Sequence, residues 1–190
     1  MNYCEYLRVV GRICRLLREK KRVVVAIDGR CGAGKSTLAA RLQRRLHCNV
    51  FHMDDFFLRP QQRTEERLAE PGGNVDRERF LEEVLLPICA GEPLSFRPYV
   101  CAQQTLGEPI AVQPSRLTII EGAYACHPAL WGYYDLRVFL TVEAGEQMRR
   151  IEARNGPEKA QQFRERWIPL EEAYFSAFRI AERCDLRING

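Results

Sequence analysis

The sequence predicts a three-layer α/β domain with a mainly parallel, five-stranded sheet. Three apolar runs, with the sequences VVVAID, LTII and LRVFLTV, are typical of strands that are buried on both faces. Segments with helical periodicity separate these runs, and strands that alternate with helices form parallel sheets covered by helices. A chain of 190 residues is long enough for one well-buried domain and too short for two large ones, so we expect residues 1–190 to form a single domain.

The predicted elements follow one another in a regular order. A helix over residues 1–20 comes first, and we interpret its arginine-rich side as a solvated face. The predicted strands cover 23–28, 49–53, 117–120, 136–142 and, at the edge of the sheet, 185–188. The predicted helices cover 37–46, 78–89, 145–154 and 161–181. The segment 59–74 predicts a loop with at most a short helix, and 93–115 predicts irregular structure or a small hairpin.

Composition and cysteine spacing narrow the class of protein. Hydrophobic residues make up 46% and charged residues 28% of the chain, no apolar run is long enough for a membrane span, and the N-terminus lacks the apolar core of a secretory signal. We therefore expect a cytoplasmic protein. The eight cysteines are scattered without a C-x-x-C pair, which favours reduced thiols over a zinc site. A net charge of +4 suits a phosphorylated small-molecule ligand, whereas a nucleic-acid partner on the basic first helix is the disfavoured alternative.

A phosphate-binding loop follows the first predicted strand. The segment GRCGAGKST matches the pattern G-x-x-x-x-G-K-S/T, in which glycines let the backbone wrap a phosphate and the following helix N-terminus faces the anion. Lys35 is expected to reach the β- and γ-phosphates and Ser36 to ligate Mg²⁺. We therefore predict ATP and Mg²⁺ as ligands, with nucleotide contacts from Gly29, Gly32, Ala33, Gly34, Lys35, Ser36 and Thr37.

Two further acidic sites are expected at the same edge of the sheet. Glu121 ends the apolar strand LTIIE, and Asp54 and Asp55 follow the strand that begins at Asn49. Ligands gather at the carboxyl edge of a parallel sheet, so these carboxylates should lie near the phosphates. We expect Asp54 to act as base and metal ligand and Glu121 to help hold Mg²⁺. Successive residues point in different directions, so only one of the two aspartates is expected to face the phosphates.

The segment 145–166 is the predicted lid. Arg150 and Arg154 are four residues apart on one helical face, and Arg166 lies further along the chain. Guanidinium groups on a closing lid can neutralise the charge that develops on a transferred phosphoryl group. The alternative for each arginine is a surface ion pair with a neighbour such as Glu152 or Glu165.

These motifs resemble those of the uridine kinase-like P-loop kinases, which are relatives of phosphoribulokinase and pantothenate kinase. The resemblance rests on GRCGAGKST, on DDFF at 54–57 and on IIEG at 119–122, and in order and spacing it covers roughly residues 20–188. It implies transfer of the γ-phosphate of ATP to a hydroxyl group, with a nucleoside such as uridine or cytidine as the first candidate and a pantothenate-like or sugar acceptor as the second. A P-loop ATPase or GTPase switch is the competing class, but the N-K-x-D motif that GTPases use is missing.

The resemblance also implies roles for single residues. Asp54 matches the catalytic aspartate, and Glu121 matches the residue of the magnesium site. Asp76, in the run NVD, matches a ribose-binding aspartate, but it is equally well placed to cap a helix. Tyr99 corresponds to a tyrosine near the base-binding hairpin, and Gln162 to a substrate-contacting glutamine.

One stretch departs from the family pattern. The run YVCAQQ that begins at Tyr99 lacks the Tyr-Asp pair and the nearby histidine that nucleoside kinases of the family carry. The identity of the acceptor therefore stays open. A homo-oligomer also stays an open alternative.

Overall fold

A five-stranded parallel sheet forms the centre of the computed structural model, which describes residues 1–190. The strands of the protein are β1 (Val23–Gly29), β2 (Asn49–His52), β3 (Leu94–Phe96), β4 (Tyr99–Val100), β5 (Thr105–Leu106), β6 (Ile110–Val112), β7 (Leu117–Glu121), β8 (Leu136–Thr141) and β9 (Leu186–Asn189). The sheet has the order β2-β7-β1-β8-β9, and all of its pairings are parallel. The predicted fold class and the edge position of the last strand are confirmed.

Helices cover both faces of this sheet. They are α1 (Tyr3–Glu19), α2 (Lys35–Leu46), α3 (Glu65–Ala69), α4 (Arg77–Phe80), α5 (Leu86–Ala90), α6 (Ala144–Asn155), α7 (Pro157–Gln162), α8 (Ile168–Phe178) and α9 (Ile180–Arg183). Single π-helical turns join α4 to α5 and α7 to α8, so that 77–90 and 157–178 are continuous helical segments. The second segment ends before the predicted residue 181 because Arg179 adopts a left-handed conformation with φ of 52°.

The side chains of β1 divide the core into two parts. Val24 and Ala26 point into a cluster with the aromatic residues that follow β2, whereas Val25 and Ile27 point into the cluster beneath α1 and α2. Alternate residues of a strand face opposite sides of the sheet, and here both sides are buried. The valine and isoleucine side chains among them each contribute about 1.5–3 kcal/mol through burial. This arrangement is the predicted three-layer structure.

The first helix and the segment 93–115 occupy the periphery. Helix α1 buries Tyr6, Val9 and Ile13, while its arginines at 8, 12, 15 and 18 lie outside the core. The segment 93–115 forms two short antiparallel pairs, β3 with β6 and β4 with β5, which agrees with the expected small hairpin. All eight cysteines are free thiols. None of the helices is both long and apolar enough to cross a bilayer.

Candidate active site

A cavity of about 790 Å³ opens at the carboxyl edge of the sheet, beyond the ends of β1, β2 and β7. This volume falls in the range that small-molecule sites occupy. The predicted site residues that line the cavity are Gly32, Ala33, Gly34, Lys35, Ser36, Thr37, Asp54, Tyr99, Glu121, Arg150, Arg154 and Arg166. Gly29, Asp76 and Gln162 do not line it.

The phosphate loop connects β1 to α2. Gly29 has φ of 134°, and a Cβ atom there would lie 2.0 Å from the carbonyl oxygen of Leu140, so only glycine fits. The Nζ atom of Lys35 donates hydrogen bonds to the carbonyl oxygens of Gly29, over 2.6 Å, and Arg30, over 3.1 Å. These contacts fold the lysine over its own loop, which places its charge at the N-terminus of α2. Gly29 therefore shapes the loop although it does not face the cavity.

Side chains from α6 and α8 hold the first half of this loop. The carboxylate of Glu171 accepts a hydrogen bond from the backbone N–H of Cys31 over 2.9 Å, and Gln147 donates to the carbonyl oxygen of the same residue over 2.9 Å. Arg30 forms a bidentate pair with Glu172 at 2.5 and 2.9 Å. Burial raises the pKa of Glu171, an effect that the charge of Lys35 opposes. The loop is therefore tied directly to α6, which belongs to the predicted lid, and to α8, which follows the lid.

Asp28 is a fully buried carboxylate at the end of β1. It accepts hydrogen bonds from the backbone N–H groups of Gly29, over 2.7 Å, and Cys126, over 2.8 Å, and from the hydroxyl of Tyr174, over 2.8 Å. Burial raises its pKa, while these hydrogen bonds and Lys35 lower it. Asp28 thus joins β1, the loop after β7 and helix α8 at one point beneath the site. No local pattern in the sequence indicates this role.

The neighbouring aspartates Asp54 and Asp55 take different positions. They lie in a 3₁₀ turn, Met53–Phe56, rather than at a strand end, and only Asp54 lines the cavity. Desolvation raises the pKa of Asp54, and the negative charge of Glu121 raises it further, whereas Lys35 and Arg154 lower it. The backbone carbonyl of Asp55 accepts a hydrogen bond from Arg79 over 2.9 Å. The separation of the two side chains agrees with the expectation.

Glu121 is paired with a histidine across the sheet. His52 lies opposite Glu121 in the register of β2 and β7, and its Nδ1 atom is 2.5 Å from the glutamate Oε1 atom. This hydrogen bond raises the pKa of His52. The next residue, Gly122, has φ of 140°, and a Cβ atom there would lie 2.7 Å from Cβ of Met53. The Glu-Gly sequence therefore lets the chain turn closely past the end of β2.

The oxygen donors in the cavity suit a magnesium ion held with a nucleotide. No group of three or more His, Cys, Asp or Glu side chains forms a dedicated metal cage anywhere in the protein. Mg²⁺ is usually bound by one or two carboxylates together with substrate phosphates and water. Ser36, Asp54 and Glu121 line the same cavity and provide donors of that kind.

The three predicted lid arginines differ in how they are held. Arg150 donates to Glu146 over 2.7 Å and to the carbonyl oxygen of Gly32 over 3.1 Å, so it contacts the phosphate loop itself. Arg166 lies over the ring of Trp167, 4.8 Å from its centroid. Arg154 lines the cavity without a salt bridge, and its charge acts on Asp54. Of these three arginines, Arg154 and Arg166 have no salt bridge and are free to bind an anion.

Two predicted substrate residues lie elsewhere. Asp76 is buried and caps helix α4, where it accepts a hydrogen bond from the backbone N–H of Arg79 over 3.2 Å. Its second oxygen accepts a hydrogen bond from Gln62 over 2.7 Å. Gln162 is exposed on α7. Of the two roles expected for Asp76, the structure therefore shows the helix cap.

Three residues of the site escaped the sequence analysis. His52 could have been found from the parallel register of β2 and β7, which sets it opposite Glu121. Glu171 could have been noticed as an acidic residue within the apolar helix sequence IPLEEAYF. Arg63 carries no local signal, because the fold alone brings it to Tyr99, 36 positions away.

The chain matches the model of one protein family over most of its length. A family model described as an AAA domain matches residues 25–172, which include the phosphate loop, Asp54, Glu121 and the predicted lid. The chain belongs to this AAA domain family.

Three solved structures similar to this AAA domain are described as kinases. A candidate uridine kinase from Bacillus stearothermophilus is 22% identical, with a TM-score of 0.69 over 95% of this chain and 99% of that one. A candidate fructose transport system kinase from Silicibacter sp. TM1040 is 22% identical, with a TM-score of 0.75 over 96% and 98%. YFH7 from Saccharomyces cerevisiae, a candidate P-loop kinase with a circular permutation, is 12% identical, with a TM-score of 0.67 over 97% and 98%. At these identities the likeness shows the shared fold of P-loop kinases.

Proposed function

We propose that this protein is an ATP-dependent phosphotransferase that moves the γ-phosphate of ATP to a hydroxyl group of a small molecule. The observation that carries the proposal is the common cavity, in which Asp54 and Glu121 face the same space as Lys35 and the phosphate loop. The side of the cavity beyond Asp54 is open for a second substrate. A site for hydrolysis alone would not need that space.

Binding of the triphosphate is the task of the phosphate loop. The backbone N–H groups from Gly32 to Thr37 and the positive end of α2 would hold the phosphate oxygens. Lys35 would move from its carbonyl partners in the loop to the β- and γ-phosphates. When bound, Mg²⁺ would neutralise phosphate charge, with Ser36, Asp54 and Glu121 as its protein ligands.

Asp54 is the proposed general base. A bond forms between the acceptor oxygen and the γ-phosphorus. The bond between that phosphorus and the oxygen that bridges the β- and γ-phosphates breaks, and ADP leaves with this oxygen. The hydroxyl proton of the acceptor passes to the Asp54 carboxylate. Desolvation and Glu121 raise the pKa of Asp54, which makes it a better proton acceptor near neutral pH.

Arg150 and Arg154 would stabilise the transferred group. Phosphoryl transfer spreads negative charge over the equatorial oxygens, and positioned guanidinium groups reduce the barrier by binding that charge. Arg150 already touches the phosphate loop at Gly32, and Arg154 is the unpaired neighbour one helical turn away. Arg166, near the end of the predicted lid, would join them in binding substrate.

The acceptor is a small hydroxyl compound. The resemblance to uridine kinase-like proteins favours a nucleoside, and a pantothenate-like or sugar acceptor is the alternative. Tyr99 lines the cavity, and its correspondence to a tyrosine near the base-binding hairpin of the family supports assigning this part of the cavity to the acceptor.

An acceptor screen tests this proposal. ADP formation from ATP and Mg²⁺ would be measured with and without nucleosides, sugars and pantothenate, and the phosphorylated product identified by mass spectrometry. We expect at least one compound to raise turnover above background hydrolysis and to gain a phosphate. Hydrolysis that no acceptor accelerates would instead indicate a P-loop ATPase.

A further inference from the structure

The acceptor side of the cavity contains a charge that the proposed mechanism does not use. Arg63 lines this side together with Phe57, Leu68, Asn74, Tyr99 and Cys101. These residues come from the segment after the Asp54 turn and from the β4–β5 hairpin, and not from the phosphate loop or the lid. Arg63 is the cationic residue in this wall.

Two hydrogen bonds hold the Arg63 guanidinium in place. Its Nε atom donates to the carbonyl oxygen of Leu58 over 3.0 Å, and one terminal nitrogen donates to the hydroxyl of Tyr99 over 2.7 Å. The guanidinium carbon lies 5.6 Å from the centroid of the Tyr99 ring. Tyr99 is itself buried, at 5% exposure, so the contact is made to a fixed side chain. Arg63 is an exposed residue, and these contacts orient its guanidinium group.

The charge of Arg63 is not balanced within the protein. No carboxylate lies within 4.0 Å of it, so the side chain takes part in no salt bridge. A guanidinium group has five N–H donors, of which Leu58 and Tyr99 use two and leave three. Because Arg63 lines the cavity, these donors are available to a ligand bound there.

Three arginines further along the chain do form salt bridges with carboxylates. Arg67 pairs with Glu78 at 2.7 Å, Arg77 with Glu70 at 2.8 Å and Arg79 with Glu83 at 3.1 Å. Each of these three supports the folded segment through its carboxylate. Arg63 differs from these three in having no carboxylate partner, and it differs from them also in lining the cavity.

Arg63 and the proposed base both lie close enough to Cys101 to act on its thiol. Burial raises the pKa of the Cys101 thiol most, and the charge of Asp54 adds to this rise while the charge of Arg63 opposes it. The charges of Asp54 and Arg63 therefore both act on the Cys101 thiol, and all three residues line the same cavity. An acceptor with its hydroxyl at Asp54 would therefore occupy the same cavity that Arg63 lines.

We infer that Arg63 binds an anionic group of the acceptor, so that the preferred substrate is a small hydroxyl compound that also carries a carboxylate or a phosphate. Both groups accept paired hydrogen bonds from the planar guanidinium fork. This inference rests on the proposed function and narrows it, because a neutral nucleoside has no such group. It favours the pantothenate-like acceptor, or a sugar phosphate, over uridine.

Matched pairs of acceptors test the inference. The panel pairs pantothenate with panthenol, glycerate with glycerol and ribose 5-phosphate with ribose, and it includes uridine and cytidine. Initial rates at saturating ATP and Mg²⁺ give kcat and KM for each compound. We expect kcat/KM for at least one anionic member to exceed that of its neutral partner by about 10-fold or more, as for a hydrogen bond between charged groups.

The variant Arg63→Gln tests whether Arg63 causes the preference for an anionic acceptor. We expect KM for the anionic acceptor to rise about 10- to 100-fold, with KM for ATP unchanged and kcat changed little. Arg63→Lys should retain part of the preference because it keeps the charge. Arg164→Gln removes one positive charge from an exposed position outside the cavity and is the control. Thermal unfolding of each variant confirms that it is folded.

The possible results separate the inference from the proposal on which it rests. Efficient transfer to uridine, cytidine or the neutral partners alone would overturn the inference and leave the phosphotransferase in place. A rise in KM for ATP in Arg63→Gln, with acceptor KM unchanged, would also overturn it, because Arg63 would then bind the triphosphate. Failure of every compound, charged or neutral, to accelerate ADP formation would count against both.

Discussion

The carboxylate of Glu171 accepts a hydrogen bond from the backbone N–H of Cys31 over 2.9 Å, and this contact joins helix α8 to the phosphate loop. The two residues are 140 positions apart in the chain. Glu171 is buried and lies near Lys35, so the loop is supported from below by a carboxylate. The support holds the first half of the loop in place at the cavity.

Two substitutions at Glu171 separate the hydrogen bond from the charge. Glu171→Ala leaves the Cys31 N–H without a partner, and we expect the free energy of unfolding at pH 7 to fall by about 1–3 kcal/mol. Glu171→Gln keeps an acceptor oxygen and removes a buried charge, so its stability should stay close to that of the wild type. Urea unfolding followed by circular dichroism measures both. Equal losses in the two variants would show that the charge, and not the hydrogen bond, supports the loop.

The sheet could be predicted because its information is local. Three of the five strands, β1, β7 and β8, are apolar runs, and the phosphate loop has a fixed spacing. The edge rule for parallel sheets then places Asp54 and Glu121 beside the loop, because each of them follows or ends a predicted strand. These parts of the site follow from short stretches of sequence.

The supporting contacts could not be predicted in the same way. Asp28 reaches Tyr174 across 146 positions, and Gln147 reaches Cys31 across 116, and neither contact leaves a pattern in its own segment. The lack of a salt bridge at Arg63 likewise becomes visible only when the partners of its neighbours are known. Burial and pairing are properties of the assembled fold, which is why sequence patterns indicate the reacting groups and not the residues that orient them.

Arg154 provides a test of transition-state stabilisation. It takes part in no salt bridge, so Arg154→Gln should fold normally. We expect kcat for transfer to fall about 100-fold or more, with the Kd for ATP changed much less, because its charge is needed most as the phosphoryl group moves. Steady-state kinetics and nucleotide titration measure the two quantities, with Arg164→Gln as the matched control. A loss confined to ATP affinity would assign Arg154 to ground-state binding.

His127 should make the protein sensitive to acid. Burial, assisted by Arg77 and Arg67, lowers the pKa of His127 to about 4, against an ordinary value of 6.5. Between these values the unfolded chain binds a proton that the native state does not, so stability is lost as the pH falls from 6.5 towards 4. This difference in pKa changes the free energy of unfolding by at most about 3 kcal/mol.

The variant His127→Gln removes this titration. We expect its free energy of unfolding to change less with pH than that of the wild type over this interval, when both are measured by urea unfolding at about pH 4.5, 5.5 and 6.5. The comparison cancels the opposing effect of the carboxyl groups whose pKa is raised, such as Asp28. Parallel curves for the two proteins would mean that His127 is protonated in the native state.

Asp54 and Asp55 test the central claim, which is that Asp54 accepts the proton of the acceptor hydroxyl. The measurement is the single-turnover rate of phosphoryl transfer at saturating ATP, Mg²⁺ and an acceptor found in the screen, together with the Kd for ATP. For Asp54→Asn we predict a rate about 100- to 10,000-fold lower with ATP binding largely kept, and for Asp55→Asn a much smaller loss. Equal losses in both variants, or full transfer by Asp54→Asn, would contradict the account.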